Sequence, residues 1–406
     1  MERNTINIIG AFDRYNYGDL LFPIVIDEYL KENRKDLLEK YDLRYFGLVE
    51  SNLSSVGGKK TQALKNLYNE DLSKDSMIIV SGGDVLPARI SSMDVDLSSS
   101  NLSMLCKKVI IKVINRRNFE KISMKKFNLN TRFPWIVEKD NFKNNVFVAY
   151  NAVGGATLDK LPKFDVEEIK RNMSKSDYIS VRDSKSLDNV KELNSKLYPD
   201  SATIMSHFFD INFLADKISN EVKKFVNSKD NKYICIQSNL CSIRGKEEVL
   251  VRELEKIHNE EGLEILLLPI GIAANHDDNI ALNRLKKYFN IKVNHIEKLN
   301  IYDIMYLIAN SRFFAGTSLH GNITAMSYAI PHIGLNREIS KLDNYLKTWD
   351  LEEQNHCIDF EELYNEFKII SKISQKNLED KKNQLINLTV KNFEEMFKRL
   401  GESIGE

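Results

Sequence analysis

Short apolar runs, each closed by a glycine or a polar turn and followed by a helix-length segment, recur along most of this chain. Ile6-Asn7-Ile8-Ile9 ends at Gly10, the polar turn Asp13 to Asp19 follows, and a helix is expected from about Leu20 to Asn33. Asp19 suits the N-cap, and Pro23 suits the first turn, where its missing N–H costs little. Met77-Ile78-Ile79-Val80 ends in Ser81-Gly82-Gly83-Asp84. Val146 to Tyr150 is closed by Gly154-Gly155, and Tyr178-Ile179-Ser180-Val181 by Arg182-Asp183-Ser184. Apolar strands alternating with helices imply a parallel sheet covered on both faces.

The pattern restarts after a charged stretch, Lys217 to Lys229. Strands are expected at Tyr233–Ile236, Leu263–Pro269, Ile291–Asn294, Arg312–Ala315 and His332–Leu335. Helices are expected at Lys246–Asn259, Asp277–Phe289, Ile301–Asn310 and His320–Ala329. The fold class is therefore α/β, with two doubly wound Rossmann-like domains and a cleft at the carboxyl ends of their strands. Residues 1–215 form the N-terminal domain, residues 216–350 the C-terminal domain, and residues 351–406 a tail of amphipathic helix that packs back on the first domain.

Residues 88–145 break the alternation. Ser-rich at first, this insertion then carries Lys107, Lys108, Lys112, Arg116, Arg117, Lys121, Lys125 and Lys126 among apolar residues. It reads either as a solvated helix face or as a lid or surface meeting an anionic or membrane-bound substrate.

Across all 406 residues, 58 Lys and Arg balance 58 Asp and Glu, which argues against nucleic acid as the main partner. Four scattered cysteines, Cys106, Cys235, Cys241 and Cys357, make no disulfide framework and fit a reducing compartment. No window approaches about 20 uninterrupted apolar residues, so no spanning helix is expected. The N-terminus lacks the apolar stretch of a secretion signal, and a cytoplasmic protein, at most lying on the inner membrane face, is the expectation. No metal is expected: Asp277 and Asp278, beside His276, are more simply read as helix-start groups.

The strongest candidate for chemistry is the turn Gly316-Thr317-Ser318-Leu319-His320-Gly321. Small residues there let backbone approach a ligand closely. Helix-start N–H groups favour an anion, Thr317 and Ser318 add hydroxyls, and His320 can donate to phosphate or act as general acid or base. Asn16-Tyr17-Gly18-Asp19 is the matching turn of the first domain, with Asp19 either a cap or a proton acceptor. Gly82-Gly83-Asp84 adds a flexible turn, and Arg182 a fork suited to carboxylate or phosphate.

Taken together, these segments resemble the polysaccharide pyruvyl transferase family. Asn16 to Asp19 is similar to its N-x-G-D opening, Ser81 to Asp84 to its glycine-rich second turn, and Ser180 to Ser184 to its S-x-R-[DE]-S segment. Tyr198-Pro199-Asp200 resembles its P-D element, Gly316 to Pro331 its closing S-x-L-H-G block, and Lys341 a lysine often found there. The order covers most of residues 5–350, apart from residues 88–145. The resemblance implies a GT-B-like fold and transfer of a pyruvyl group from phosphoenolpyruvate, the donor substrate, to a sugar as a ketal, with no cofactor. It makes His320 and Asp19 the catalytic candidates, and Asn16, Gly18, Gly82, Gly83, Arg182, Thr317, Ser318, Gly321 and Lys341 the substrate-binding ones. The implied partner is a sugar or glycan acceptor, free or lipid-linked; peripheral membrane contact is the expectation from the basic insertion itself, which the resemblance does not cover.

One departure stands out. Several members carry arginine two residues before the histidine, where this chain has Ser318; a hydroxyl replaces neither the charge nor the fork, and Arg244 and Arg337 are the available substitutes. Two other readings remain at this stage: a GT-B-like glycosyltransferase using a nucleotide sugar, and a non-enzymatic carbohydrate-binding relative.

Overall fold

A computed structural model describes residues 4–229, 232–271 and 278–404. The chain divides into two compact units. One comprises the described residues up to Ser201 together with those from Thr389 onward, and the other the described residues from Ala202 to Leu388.

The first unit holds an eight-stranded sheet: β1 (Asn4–Ile9), β2 (Tyr41–Gly47), β3 (Ser51–Asn52), β4 (Lys60–Ala63), β5 (Met77–Ser81), β6 (Phe147–Val153), β7 (Tyr178–Val181) and β8 (Lys196–Leu197), in the order β3-β4-β2-β1-β5-β6-β7-β8. All neighbours pair in parallel except β3 with β4. The expected apolar runs are the central strands, and Ile6, Ile8, Ile78, Val80, Val148 and Val181 are fully buried. Sequence reading missed β2. Asp42 is exposed, and Arg44 grips Glu70 at 2.6 and 2.7 Å, so polar positions interrupt its apolar pattern. The sixth strand also runs past Tyr150 to Val153, through a register shift against β7 and an Ala152 φ of 47°. That irregularity aims Gly154 at the β5 turn, a common use of a bulge at a strand end.

The second unit holds a six-stranded sheet whose neighbouring strands all pair in parallel: β9 (Tyr233–Gln237), β10 (Glu264–Leu267), β11 (Asn294–His295), β12 (Phe313–Gly316), β13 (His332–Leu335) and β14 (Cys357–Ile358), ordered β11-β10-β9-β12-β13-β14. Ile234, Ile236, Leu267, Ala315 and Ile333 fill its core with Leu250, Leu254 and Phe367 from covering helices.

Unit limits differ from the expected 215 and 350. Residues 202–217 join the second unit because Ser327 Oγ donates to Thr203 O at 2.8 Å and Tyr328 OH to Phe209 O at 2.7 Å. Residues 351–388 also belong there: Cys357–Ile358 extends the sheet, and Phe360, Leu363 and Phe367 enter the core. Helix Gln375–Ile404 belongs with the first unit only from Thr389 on. There Asn392 Nδ2 donates to Asn151 Oδ1 at 2.7 Å, and the Phe393 ring lies 4.5 Å from that of Tyr29.

In each sheet the chain reverses its winding direction at one point, between β1 and β5 in the first and between β9 and β12 in the second. The crevice outside the carboxyl ends of strands at such a switch point is where open α/β sheets take ligands. The turns after β1, β5 and β12 are expected candidate segments, and the turn after β9 joins them at the second switch point.

Candidate active site

In the first unit the helix after β1 begins earlier than expected. It spans Tyr17–Asn33, with Asn16 at the N-cap position, so Asp19 lies in the first turn and Pro23 inside the helix. Pro23 has no N–H for the Asp19 carbonyl, so that helical bond is missing. Asn16 does not cap with its side chain. Its Nδ2 donates instead to Asp19 Oδ2 at 2.8 Å, which orients the carboxylate. Gly18 is buried in the same turn.

Gly83 lies against that carboxylate. A Cβ built on it would stand 3.7 Å from Asp19 Oδ1 and 3.5 Å from Arg182 Nη1, so Asp19 and Arg182 both border Gly83. Gly82 has no such room, since a Cβ there would meet Val85 Cγ1 at 2.7 Å. The Gly83 carbonyl accepts from Gly154 N at 2.7 Å, and a Cβ on Gly154 would strike that carbonyl at 2.8 Å and Arg182 Nε at 2.9 Å. Gly154 thus belongs to the candidate site, although sequence reading took it only as a strand end.

Arg182 is 2% exposed and pairs with the fully buried Asp200 at 2.9 Å. Burial opposes its charge, but Asp200, Asp183 and Asp84 outweigh it and hold its pKa above the ordinary value. The guanidinium expected to meet substrate is bonded through Nη1 to Asp200 and borders Gly83 and Gly154. Asp183 caps the following helix, its Oδ1 accepting from Ser186 N at 2.7 Å.

In the second unit Ser318 is the N-cap of helix Leu319–Ser327, its Oγ accepting from Gly321 N at 3.2 Å. This explains the departure at that position: an arginine side chain has no acceptor with which to cap. Thr317, 3% exposed, donates from Oγ1 to Gln237 Oε1 at 3.2 Å and accepts from Asn239 N at 3.3 Å. Gln237 Oε1 also accepts from Ser318 N at 2.8 Å, while its Nε2 donates to Asp278 Oδ2 at 2.9 Å. That carboxylate further accepts from Ile270 N at 3.0 Å and Gly271 N at 2.8 Å. Asp278 therefore ties the ends of β9 and β10 together, and Gln237 joins that of β12 to them; His276 and Asp277 lie outside the described residues.

Gly321 has a packing reason for being glycine, since a Cβ there would lie 2.4 Å from Phe314 Cζ and 2.9 Å from Ile270 Cδ1. Thr317, Ser318 and Gly321, expected as substrate contacts, are thus occupied in building the turn. His320 is half-buried on the first turn of the helix. Gln237 and Asn239 were missed in the sequence. The only signal was a run of amide and hydroxyl residues, Gln237-Ser238-Asn239, directly after a strand.

Of the cations weighed as substitutes, Arg337 is held by Asp359 at 3.2 Å and Glu362 at 2.8 Å, and these partners raise its pKa. Arg244 is exposed at the C-cap of the short helix Leu240–Ile243, which Asn239 begins, and its side chain has no partner among the described residues. Lys341 is exposed near the start of helix Ser340–Trp349. Cys235 is buried and Cys241 exposed.

The sequence profile of the family described as "Polysaccharide pyruvyl transferase" matches residues 16–338. The chain belongs to this family. No curated protein matches it in sequence. Among solved structures, UDP-GlcNAc 2-epimerase from Neisseria meningitidis, bound to UDP-GlcNAc, is similar with a TM-score of 0.54 at 11% identity, over 98% of this chain and 100% of that one. A UDP-N-acetylglucosamine 2-epimerase described as putative, from Listeria monocytogenes, gives 0.52 at 10% identity over 95% and 91%. Anabaena Alr3699/HepE, solved with UDP-glucose, gives 0.51 at 10% identity over 99% and 99%. At such identities the likeness shows the fold, which is α/β and GT-B-like with two parallel sheets. No helix among the described residues is long and apolar enough to cross a membrane.

Proposed function

We propose that this family member transfers the pyruvyl group of phosphoenolpyruvate to two hydroxyls of a sugar in a cell-surface polysaccharide or its precursor, forming a cyclic ketal. The observation that carries this reading is the second-unit turn. It is a capped helix start at a switch point, with His320 on its first turn. Such a turn presents N–H groups and positive dipole to an anion, as phosphate or carboxylate requires.

The chemistry asks for a proton donor, an anion cradle and a proton acceptor. Protonation of the methylene carbon makes the adjacent carbon electrophilic, and one sugar hydroxyl adds there and gives up its proton. The C–O bond to phosphate then breaks, and the second hydroxyl closes the ring. Of the two hydroxyl protons, one balances that added to carbon and the other leaves with phosphate. His320 is assigned the donor side of this sequence, with Arg244 as supplementary cation in place of the missing arginine. Asp19, oriented by Asn16, is assigned as base toward an acceptor hydroxyl.

A second reading, transfer from a nucleotide sugar, is favoured by Ser318 and by the fold neighbours solved with UDP-sugars. The two part in a release assay. Supplying phosphoenolpyruvate with a panel of glycan acceptors should liberate inorganic phosphate and yield a product carrying pyruvate as a ketal. Release of UDP from UDP-sugars, with none of phosphate from phosphoenolpyruvate, would establish the second reading instead.

A further inference from the structure

Helix Asn101–Ile114 in the basic insertion has two apolar faces. Met104, Ile111 and Ile114 pack with Val95 and Phe119 in a small core of their own. On the opposite side Leu102, Leu105, Val109 and Val113, spaced by three and four residues and so sharing one face, are 72, 55, 58 and 77% exposed. Aliphatic side chains this exposed, aligned over about 16 Å of helix at 1.5 Å per residue, are unusual on a soluble surface.

The charge around this stripe has one sign. Between residues 97 and 128 stand eight Lys and Arg and one acidic residue, Glu120, which is buried and bound to Arg89 at 2.9 Å. Lys107 and Lys126 are joined to the buried Asp94, whereas Lys112, Arg116, Arg117, Lys121 and Lys125 are exposed. Beside the stripe a groove of about 520 Å³ has an apolar wall from Leu105, Val109 and Ile111 and a basic one from Lys108, Lys112 and Arg116. Its acidic lining residue, Asp96, faces Arg14 at 3.7 Å.

We infer that helix Asn101–Ile114 is an interfacial anchor that lies in the surface of a membrane rich in anionic phospholipid. The aliphatic stripe enters the acyl boundary, the flanking cations meet the headgroups, and the groove accepts a phosphate-bearing headgroup. An apolar face bordered by Lys and Arg is the pattern of helices that lie in a bilayer surface. A second copy of the same face would set like charges against one another, and nucleic acid has no use for the aliphatic stripe. The inference is independent of the donor, because vesicle binding is read with neither donor nor acceptor present.

Flotation of the full chain with vesicles of phosphatidylcholine, with or without phosphatidylglycerol, tests it. Binding to the anionic vesicles should be at least about tenfold tighter and should weaken as salt rises. The double variant Val109→Asp/Val113→Asp should reduce it about tenfold, and Arg116→Glu/Arg117→Glu comparably, with melting temperatures unchanged. Should the aspartate variant fail to fold, the arginine pair decides. Absence of binding to anionic vesicles, equal binding to neutral ones, or binding that neither variant lowers would overturn the anchor. So would a self-associated dimer that the aspartate variant dissolves.

Discussion

At the first unit's switch point a buried guanidinium, Arg182 on Asp200, supports the glycine turn, and a carboxylate, Asp19, borders it. At the second unit's switch point the turn is held by neutral groups. Gln237 gathers Thr317 and Ser318, and the one charge in the network, Asp278, is spent on two backbone N–H groups and Gln237. An ionic support strengthens a turn but fills it with charge, whereas a neutral one leaves the helix-start field unopposed for an incoming anion. Under the proposed function, this contrast is the reason for giving the donor to the second turn and the hydroxyl to the first.

That contrast breaks most visibly at His320. His320→Ala should lower turnover by roughly a hundredfold to ten-thousandfold, the range for a lost general acid or base, while the melting temperature stays within a few degrees. A large loss of stability with proportionate loss of turnover would make it a packing residue. Arg182→Met should do the reverse. Leaving Asp200 buried without its partner should cost about 3–5 kcal/mol in denaturant unfolding. A stable Arg182→Met protein with greatly weakened substrate binding would give Arg182 a substrate-binding role.

Gln237→Ala should cost about 1–3 kcal/mol, because the Ser318 N–H and the Thr317 hydroxyl lose their shared acceptor. Ser318→Ala, losing only a cap, should cost about 1 kcal/mol. Smallest is the acid response of the carboxylates that pair with the cations of the first unit's insertion. Burial alone would raise the Asp165 and Asp94 carboxyls, but Arg89 with Arg132, and Lys126 with Lys107, outweigh it and hold both below the usual value. Because these folded-state pKa values are depressed, the stabilisation is complete above about pH 4 and is lost as pH falls through the lower folded values. Thermal melts at falling pH should show Asp165→Asn losing less stability than the parent chain across that window.

Much of this architecture was legible from the strand pattern, because central parallel strands buried on both faces cannot hide their apolar runs. Edge and near-edge strands were not: β2 carries Asp42 and Arg44 and has no continuous run, and β14 offers only Cys357 and Ile358. At the site, motif residues were visible but their roles were not. Ser318 and Asp183 turn out to be helix caps, Gly321 yields space to Phe314, and Arg182 faces inward. Gln237, Asn239 and Gly154 escaped notice because their importance comes from neighbouring strands, which sequence order separates by scores of residues.

Calorimetric titration of the full chain and of His320→Ala with phosphoenolpyruvate and, separately, UDP-GlcNAc tests the donor assignment most directly. Saturable heat is predicted for phosphoenolpyruvate with the parent chain, at least about tenfold weaker in His320→Ala, as loss of a hydrogen bond to a charged group implies, and none for UDP-GlcNAc. Saturable binding of UDP-GlcNAc with no heat from phosphoenolpyruvate would contradict it.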